Sequence, residues 1–173
     1  MEYKNIMQEP RLEKVVVSIS IGQSGERLVK AEQLLQKLTG KKPVRTTSTH
    51  RIPTWGLKSG EPIGCKVTLR GEGAADFAKR GLTAKENRLR PSCFDNAGSV
   101  NFGLSEYIDF PGIKYDPEIG IMGLNVNITL ERPGYRIKKR QSNKTKIKPK
   151  NRITQEESMA FMKKNFGVEI EED

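Results

Sequence analysis

The sequence predicts an α+β fold, an antiparallel sheet with helices packed on one face, carrying a long basic loop or arm. Two observations predict the folded part. Four stretches alternate apolar and polar residues, as strands with one buried face do, and three others repeat apolar residues at helical spacing. Helices clustered between strands, with hairpin-length connections, fit a sheet covered on one side. A third observation, a run of like charge, predicts the arm. At 173 residues the chain suits one domain with a proper core and is short for two, so residues 1–173 are read as a single domain.

The first strand is Lys14 to Ile21, with Val15, Val17, Ile19 and Ile21 on one face and Ser18 and Ser20 on the other. Gly22 to Gly25 turns the chain, and Ser24 is read as the N-cap of a helix. Leu28, Ala31, Leu35 and Leu38 then recur at helical spacing, and Gly40 supplies the stop. A second strand runs from Val44 to about Thr49. An exposed Gly- and Pro-rich loop follows, His50 to Gly64, holding the only Trp. Strand three, Lys66 to Arg70, turns Val67 and Leu69 inward and Lys66, Thr68 and Arg70 outward. Ala74 to Leu82 reads as a short helix, with room to continue to Leu89 before Pro91 ends it. Ser99 to Ile108 is a strand with Val100, Phe102 and Leu104 inward. Residues 108–123 carry turn formers throughout and read as an ordered loop. Leu124 to Leu130 is the last strand, with Leu124, Val126, Ile128 and Leu130 inward. Thr154 and Glu157 have capping-box spacing and open a final helix, striped by Met159, Met162 and Phe166 and ended by Gly167. The acidic tail Glu169–Asp173 reads as a solvated terminus.

The run from Arg132 to Arg152 holds ten Lys or Arg and no acid, in a chain with 31 basic and 21 acidic residues. Everything outside the run is therefore neutral in sum. Like charges at this density resist compaction, and a polyanion is the expected counterpart. A solvated basic tail is the alternative, less suited to a run flanked by folded elements on both sides. An anionic membrane would call for a basic amphipathic helix with large apolar anchors. Pro133, Gly134 and Pro149 interrupt a helix here, and the run has no Trp or Phe. Nucleic acid is favoured and a membrane partner is not expected. Residues 33–60 add six basic residues and no acid, whereas 103–131 hold five acids and one base. The absence of any apolar stretch near twenty residues, and of a secretion profile in Met1 to Pro10, points to a cytoplasmic protein. Cys65 and Cys93 match no metal spacing and read as buried thiols.

Alternation sends Ser18, Ser20, Lys66, Thr68, Arg70, Asn101, Ser105, Asn125, Asn127 and Thr129 away from the core, and none is acidic. Such groups donate to phosphate and ribose oxygens, although an ordinary solvated sheet carries the same residue types. Only Tyr107 can face out to stack a base. Folded RNA gripped through its shape and backbone is therefore expected, rather than a threaded single strand. No helix-turn-helix, zinc-finger or basic-zipper pattern points to duplex DNA. Features that imitate catalysis are weak. Gly71 to Asp76 has the spacing of a dinucleotide fingerprint, but Asp76 would set a carboxylate against a pyrophosphate. Asp109, Asp116 and Glu118 stand among Pro111, Gly112 and Pro117 and read as turn-forming groups. His50 lacks a second His or a suitably placed Cys. No enzyme activity, metal or cofactor is expected.

Six stretches taken in order carry a resemblance: M-Q-E-P-R-L-E-K-V-V-V-S-I (7–19), S-G-E-R-L-V-K-A-E (24–32), L-T-G-K-K-P-V-R-T (38–46), G-E-P-I-G-C-K-V-T-L-R-G (60–71), I-D-F-P-G-I-K-Y-D-P-E-I-G-I-M-G (108–123) and T-L-E-R-P-G-Y-R (129–136). The chain resembles, over nearly its whole length, the universal large-subunit ribosomal protein five family in its archaeal and eukaryotic form. The resemblance implies a structural protein that binds 5S ribosomal RNA in the central protuberance of the large subunit. Its implied neighbours are large-subunit ribosomal RNA and large-subunit ribosomal protein eighteen, with small-subunit ribosomal protein thirteen across an inter-subunit bridge. It also implies that the loop between the second and third strands approaches the peptidyl-site (P-site) tRNA. Here that loop is His50–Glu61, with His50, Arg51, Trp55 and Lys58 as the tRNA contacts. Positions associated with RNA contact in the family fall on Ser18, Lys41 and Thr68, where Ser18 and Lys41 replace a common Asn and Gln. The residue reading adds Arg45, Thr47, Thr49, Lys66, Arg70 and Asn101 on the body. On the arm it adds Arg136, Lys138, Lys139, Arg140, Lys144, Lys146 and Lys148, with the arm ordering on ribosomal RNA.

Overall fold

The computed structural model describes residues 5–171, in two compact units that the chain visits in turn. One comprises Val16–Leu69 and Gly103–Val126; the other comprises Met1–Val15, Arg70–Phe102 and Asn127–Asp173. Strands β1 (Arg11–Ser20), β2 (Val44–Thr47), β3 (Pro62–Leu69), β5 (Ser99–Leu104) and β6 (Leu124–Glu131) form an antiparallel sheet in the order β2-β3-β1-β6-β5. The two-residue strands β4 (Arg88–Leu89) and β7 (Glu169–Ile170) form a separate parallel pair. The α+β class is the one the periodicity predicts.

In the first unit, helix α1 (Glu26–Thr39) forms because Leu28, Ala31, Leu34, Leu35 and Leu38 share one stripe, and all five are buried. The helix packs on β3 and ends at Gly40, whose left-handed backbone lets its N–H reach the Gln36 carbonyl. Its start differs from expectation. Gly25 takes the cap position, and Ser24, one residue too early to cap, donates its hydroxyl to Glu61 Oε1 at 2.7 Å. β2 ends at Thr47, after a register slip between Thr46 and Thr47, short of the predicted Thr49. β3 begins at Pro62 rather than Lys66, because main-chain pairing reaches past the alternating stretch: the Ile63 carbonyl accepts from the N–H groups of Ile21 and Gly22. Gly64 sits where a Cβ would stand 2.7 Å from the Ile19 carbonyl oxygen, so only glycine lets the strands approach. Cys65 is buried, and burial, with a lesser contribution from the Glu32 charge, pushes its thiol up to about 11.

Residues 108–123 form an ordered loop around buried Phe110, Ile119 and Met122, with Asp116 Oδ1 accepting from the Glu118 N–H at 3.1 Å. Tyr107 does not face out. β5 stops at Leu104, and Tyr107 enters a short 3-10 turn where it is 1% exposed. Its Oη accepts from the Asp116 N–H at 2.9 Å.

In the second unit, α2 (Glu72–Thr83) buries Ala74, Phe77, Ala78, Gly81 and Leu82 and does not continue to Leu89. Glu86 and Asn87 take left-handed backbone angles that end helical geometry. The Asn87 carbonyl then accepts from the Glu169 N–H, which opens the β4–β7 pair. The acidic tail, expected to be solvated, is thus tied down through Ile170; Glu172 and Asp173 lie outside the described residues. α4 (Gln155–Phe166) carries the predicted capping box: Thr154 Oγ1 accepts from the Glu157 N–H, and Glu157 Oε2 accepts from the Thr154 N–H. Of its predicted stripe only Met162 is buried, beside Ser158, whereas Met159 and Phe166 are half-buried. Cys93 is half-buried, not buried as expected, because it lies in the short turn Pro91–Cys93 rather than in a strand.

Candidate nucleic-acid interface

The unit built from Val16–Leu69 and Gly103–Val126 carries two exposed polar sets. In β3, Lys66 and Thr68 alternate with buried Cys65, Val67 and Leu69, which puts them on the face away from the core. Ser18 is half-buried between Val17 and Ile19, while Ser20, Ser105 and Asn125 are exposed. Gly103 leaves room for the Asn125 amide, whose Oδ1 stands 3.2 Å from where a Cβ would be. Lys41 is exposed just past the C-cap of α1. Arg45 is placed differently. It pairs across the ladder with Cys65, on the opposite face from Lys66 and Thr68, and its guanidinium donates to both oxygens of Glu32 on α1. Thr47 and Thr49 are exposed at and beyond the end of β2.

The second set is the 50–61 loop, which is closed by its own bonds. Ile52 bridges to Leu57, Leu57 is buried, and a 3-10 turn at Pro53–Trp55 forms the tip. Buried Ser48 donates its hydroxyl to the His50 carbonyl at 2.7 Å, and Glu61 Oε2 accepts from the Lys58 N–H at 3.0 Å. That N–H, with the Ser24 hydroxyl, holds the Glu61 carboxyl below the usual carboxylate range. Trp55 stands 73% exposed at the tip, with His50, Arg51 and Lys58 also exposed. The Trp55 indole is thus held in water on a braced loop, outside the core.

The other unit carries the arm. After Arg132 the chain forms a four-residue helix, α3 (Arg136–Lys139), and reverses at Asn143, whose φ of 51° is left-handed. Arg140 Nε donates to the Asn143 carbonyl and the Thr145 N–H to the Ile137 carbonyl, closing the reversal. Ile147 is buried, and Tyr135 Oη donates to the Asn151 carbonyl at 2.7 Å. The arm is therefore anchored along its length, and its cations divide into two groups. Arg132 donates to Glu157, and Lys139 donates to Glu13 at 2.5 Å and Glu131 at 2.8 Å. Arg136, Lys138, Arg140, Lys144, Lys146, Lys148, Lys150 and Arg152 are exposed and have no ion pair among the described residues.

β6 runs one residue further than predicted, so its outward series ends on an acid, Glu131. The expected acid-free face is corrected there, and the charge is met by Arg11 at 3.4 Å and by Lys139. Asn101 is exposed; Arg70 is exposed and lies 3.5 Å from Glu13. Burial pushes the Glu13 carboxyl up, but the Lys139 hydrogen bond and the charges of Lys14, Lys139 and Arg70 outweigh it and hold it below the usual range. The folded state then binds fewer protons than the unfolded one. Stability should be fully present above pH ~4.5 and fall as the pH drops through the depressed pKa. Acid titration of thermal unfolding checks this, with Glu13→Gln flattening that limb.

No group of three or more metal-binding side chains, and no helix long and apolar enough to cross a membrane, occurs among the described residues. Known proteins match along nearly the whole chain. A profile of Ribosomal protein L5 matches residues 5–58, and a second profile, of the C-terminus of the same ribosomal family, matches residues 62–161. The large ribosomal subunit protein uL5 of Methanosphaera stadtmanae is 47% identical, covering 96% of this chain and 99% of that protein. The same protein of Sulfolobus acidocaldarius is 51% identical, covering 96% and 94%. That of Methanococcoides burtonii is 46% identical, covering 96% and 99%. With two profiles spanning β1 to α4 and relatives matched end to end, the chain belongs to the ribosomal protein L5 family, a structural and non-enzymatic component of the ribosome.

Proposed function

We propose that the chain, acting as one RNA-binding domain over residues 1–173, is a constituent of the large subunit of the cytoplasmic ribosome. In this reading it binds 5S ribosomal RNA in the central protuberance and presents the 50–61 loop to the P-site tRNA. Large-subunit ribosomal RNA and ribosomal protein eighteen are its neighbours there, and small-subunit ribosomal protein thirteen is met across the bridge. The observation that carries the reading is the division of the arm's cations. Two are consumed by internal ion pairs that anchor the arm, and six of the predicted contacts are left exposed and without ion pairs among the described residues. A protein folding for its own sake has no use for the second group; a phosphate backbone does.

Ser18, Lys41, Thr47, Thr49, Lys66, Thr68, Arg70 and Asn101 supply short-range donors to ribose and phosphate. Arg45 and Lys139 contribute through their placement of α1 and the arm. His50, Arg51, Trp55 and Lys58 form the tRNA contact. Crosslinking in intact ribosomes tests the assignment. Arm residues should map to ribosomal RNA and Trp55 to tRNA, and Trp55→Ala should remove the tRNA adduct without lowering the melting temperature. Adducts from the 50–61 loop to protein alone would refute the tRNA contact.

A further inference from the structure

We propose that the cavity under the basic arm seats a single unstacked nucleotide of ribosomal RNA, an inference that rests on the RNA-binding reading above and deepens it. The cavity measures about 500 Å³. Tyr135 and Ile147 line it as apolar wall, and Lys138, Lys144, Lys146 and Arg152 surround it. No acid lines it. A phosphate alone has no use for the apolar wall, and an apolar peptide has none for four cations. A base splayed out of its stack, with phosphates on either side, uses both.

The fold of the arm builds this arrangement. Lys138 lies on α3, and the chain reversal at Asn143 brings Lys144 and Lys146 back beside it. The Thr145 N–H to Ile137 carbonyl bond holds the two limbs together. Tyr135 is fixed by its hydrogen bond to the Asn151 carbonyl, so its ring is already placed before any ligand arrives. A prearranged aromatic wall loses little freedom on stacking a base. The arm thus does more than neutralise charge: it selects RNA that can offer an unpaired nucleotide.

The test uses the full chain and three RNA hairpins of one stem sequence. One carries a single bulged 2-aminopurine, the second an abasic site at the same bulge, and the third is fully paired. The bulged hairpin should bind about tenfold tighter than the other two, and its 2-aminopurine emission should fall on binding. Tyr135→Phe, which keeps the ring but loses the bond that places it, should reduce that preference in part, and Tyr135→Ala should abolish it. Lys144→Ala should weaken all three hairpins alike. Equal affinity for the three hairpins, with unquenched emission, would overturn the nucleotide pocket while leaving RNA binding by the arm in place. Failure of every hairpin and of 5S ribosomal RNA to bind at low salt would remove both. The abasic comparison is made in the unmodified chain, so it decides the matter even if Tyr135→Ala does not fold.

Discussion

Glu157→Ala is expected to lower the unfolding free energy by about 3 kcal/mol, the low end for removing one partner of a buried ion pair. The two oxygens of Glu157 do different work. One accepts from Arg132 and the other from the Thr154 N–H at the start of α4. The pair is well shielded, with Arg132 13% and Glu157 15% exposed. Arg132 Nε already lacks a hydrogen-bond partner, so truncation takes the carboxylate from a part-buried guanidinium that has an unmet donor. Loss of the cap adds roughly 1 kcal/mol within that total. Glu157→Gln keeps an acceptor for only one of the two bonds and sets an NH2 donor against the other N–H, so it should recover only part of the loss. Urea unfolding of the three proteins measures this, and a loss below about 1 kcal/mol for Glu157→Ala would mean that the arm's root is not held there.

Reversing Lys144, Lys146 and Lys148 to Glu together should weaken binding to ribosomal RNA by about two orders of magnitude at moderate salt. All three side chains are exposed and without ion pairs among the described residues, so folding should be unaffected. Each lost phosphate contact should also reduce the salt slope by roughly 0.7 to 0.9. Reversal of Arg132 or Lys139 would mix binding with stability, since both hold the arm to the body. Measuring the triple variant against 5S and large-subunit ribosomal RNA separately identifies which RNA the arm meets. Unchanged affinity for both would contradict the role given to the exposed cations.

The alternation of Val15, Val17 and Ile19, of Val67 and Leu69, and of Leu124 through Leu130 was enough to locate three strands. The α1 stripe and the Thr154–Glu157 box were equally readable, because each signal is local. What escaped was set by distant partners. The β4–β7 pair has two residues a side and no period, so only the Asn87 carbonyl meeting the Glu169 N–H reveals it. Tyr107 fits an outward position by counting, yet the loop at Asp116 folds back and takes its hydroxyl. Among the candidate site residues, charge along the chain located the arm but not which cations are used internally. Lys139 lies beside Lys138 in sequence, and only the strand partners Glu13 and Glu131 tell them apart. Arg45 likewise looked like its basic neighbours until β2 pairing turned it toward α1.

The dependence of 5S ribosomal RNA affinity on salt, measured with the intact chain, reports most directly on whether those unspent charges grip a polyphosphate. If about six of them do, log K should fall against log salt with a slope of roughly −4 to −5. A slope near zero would mean that the exposed cations of the arm do not meet that RNA.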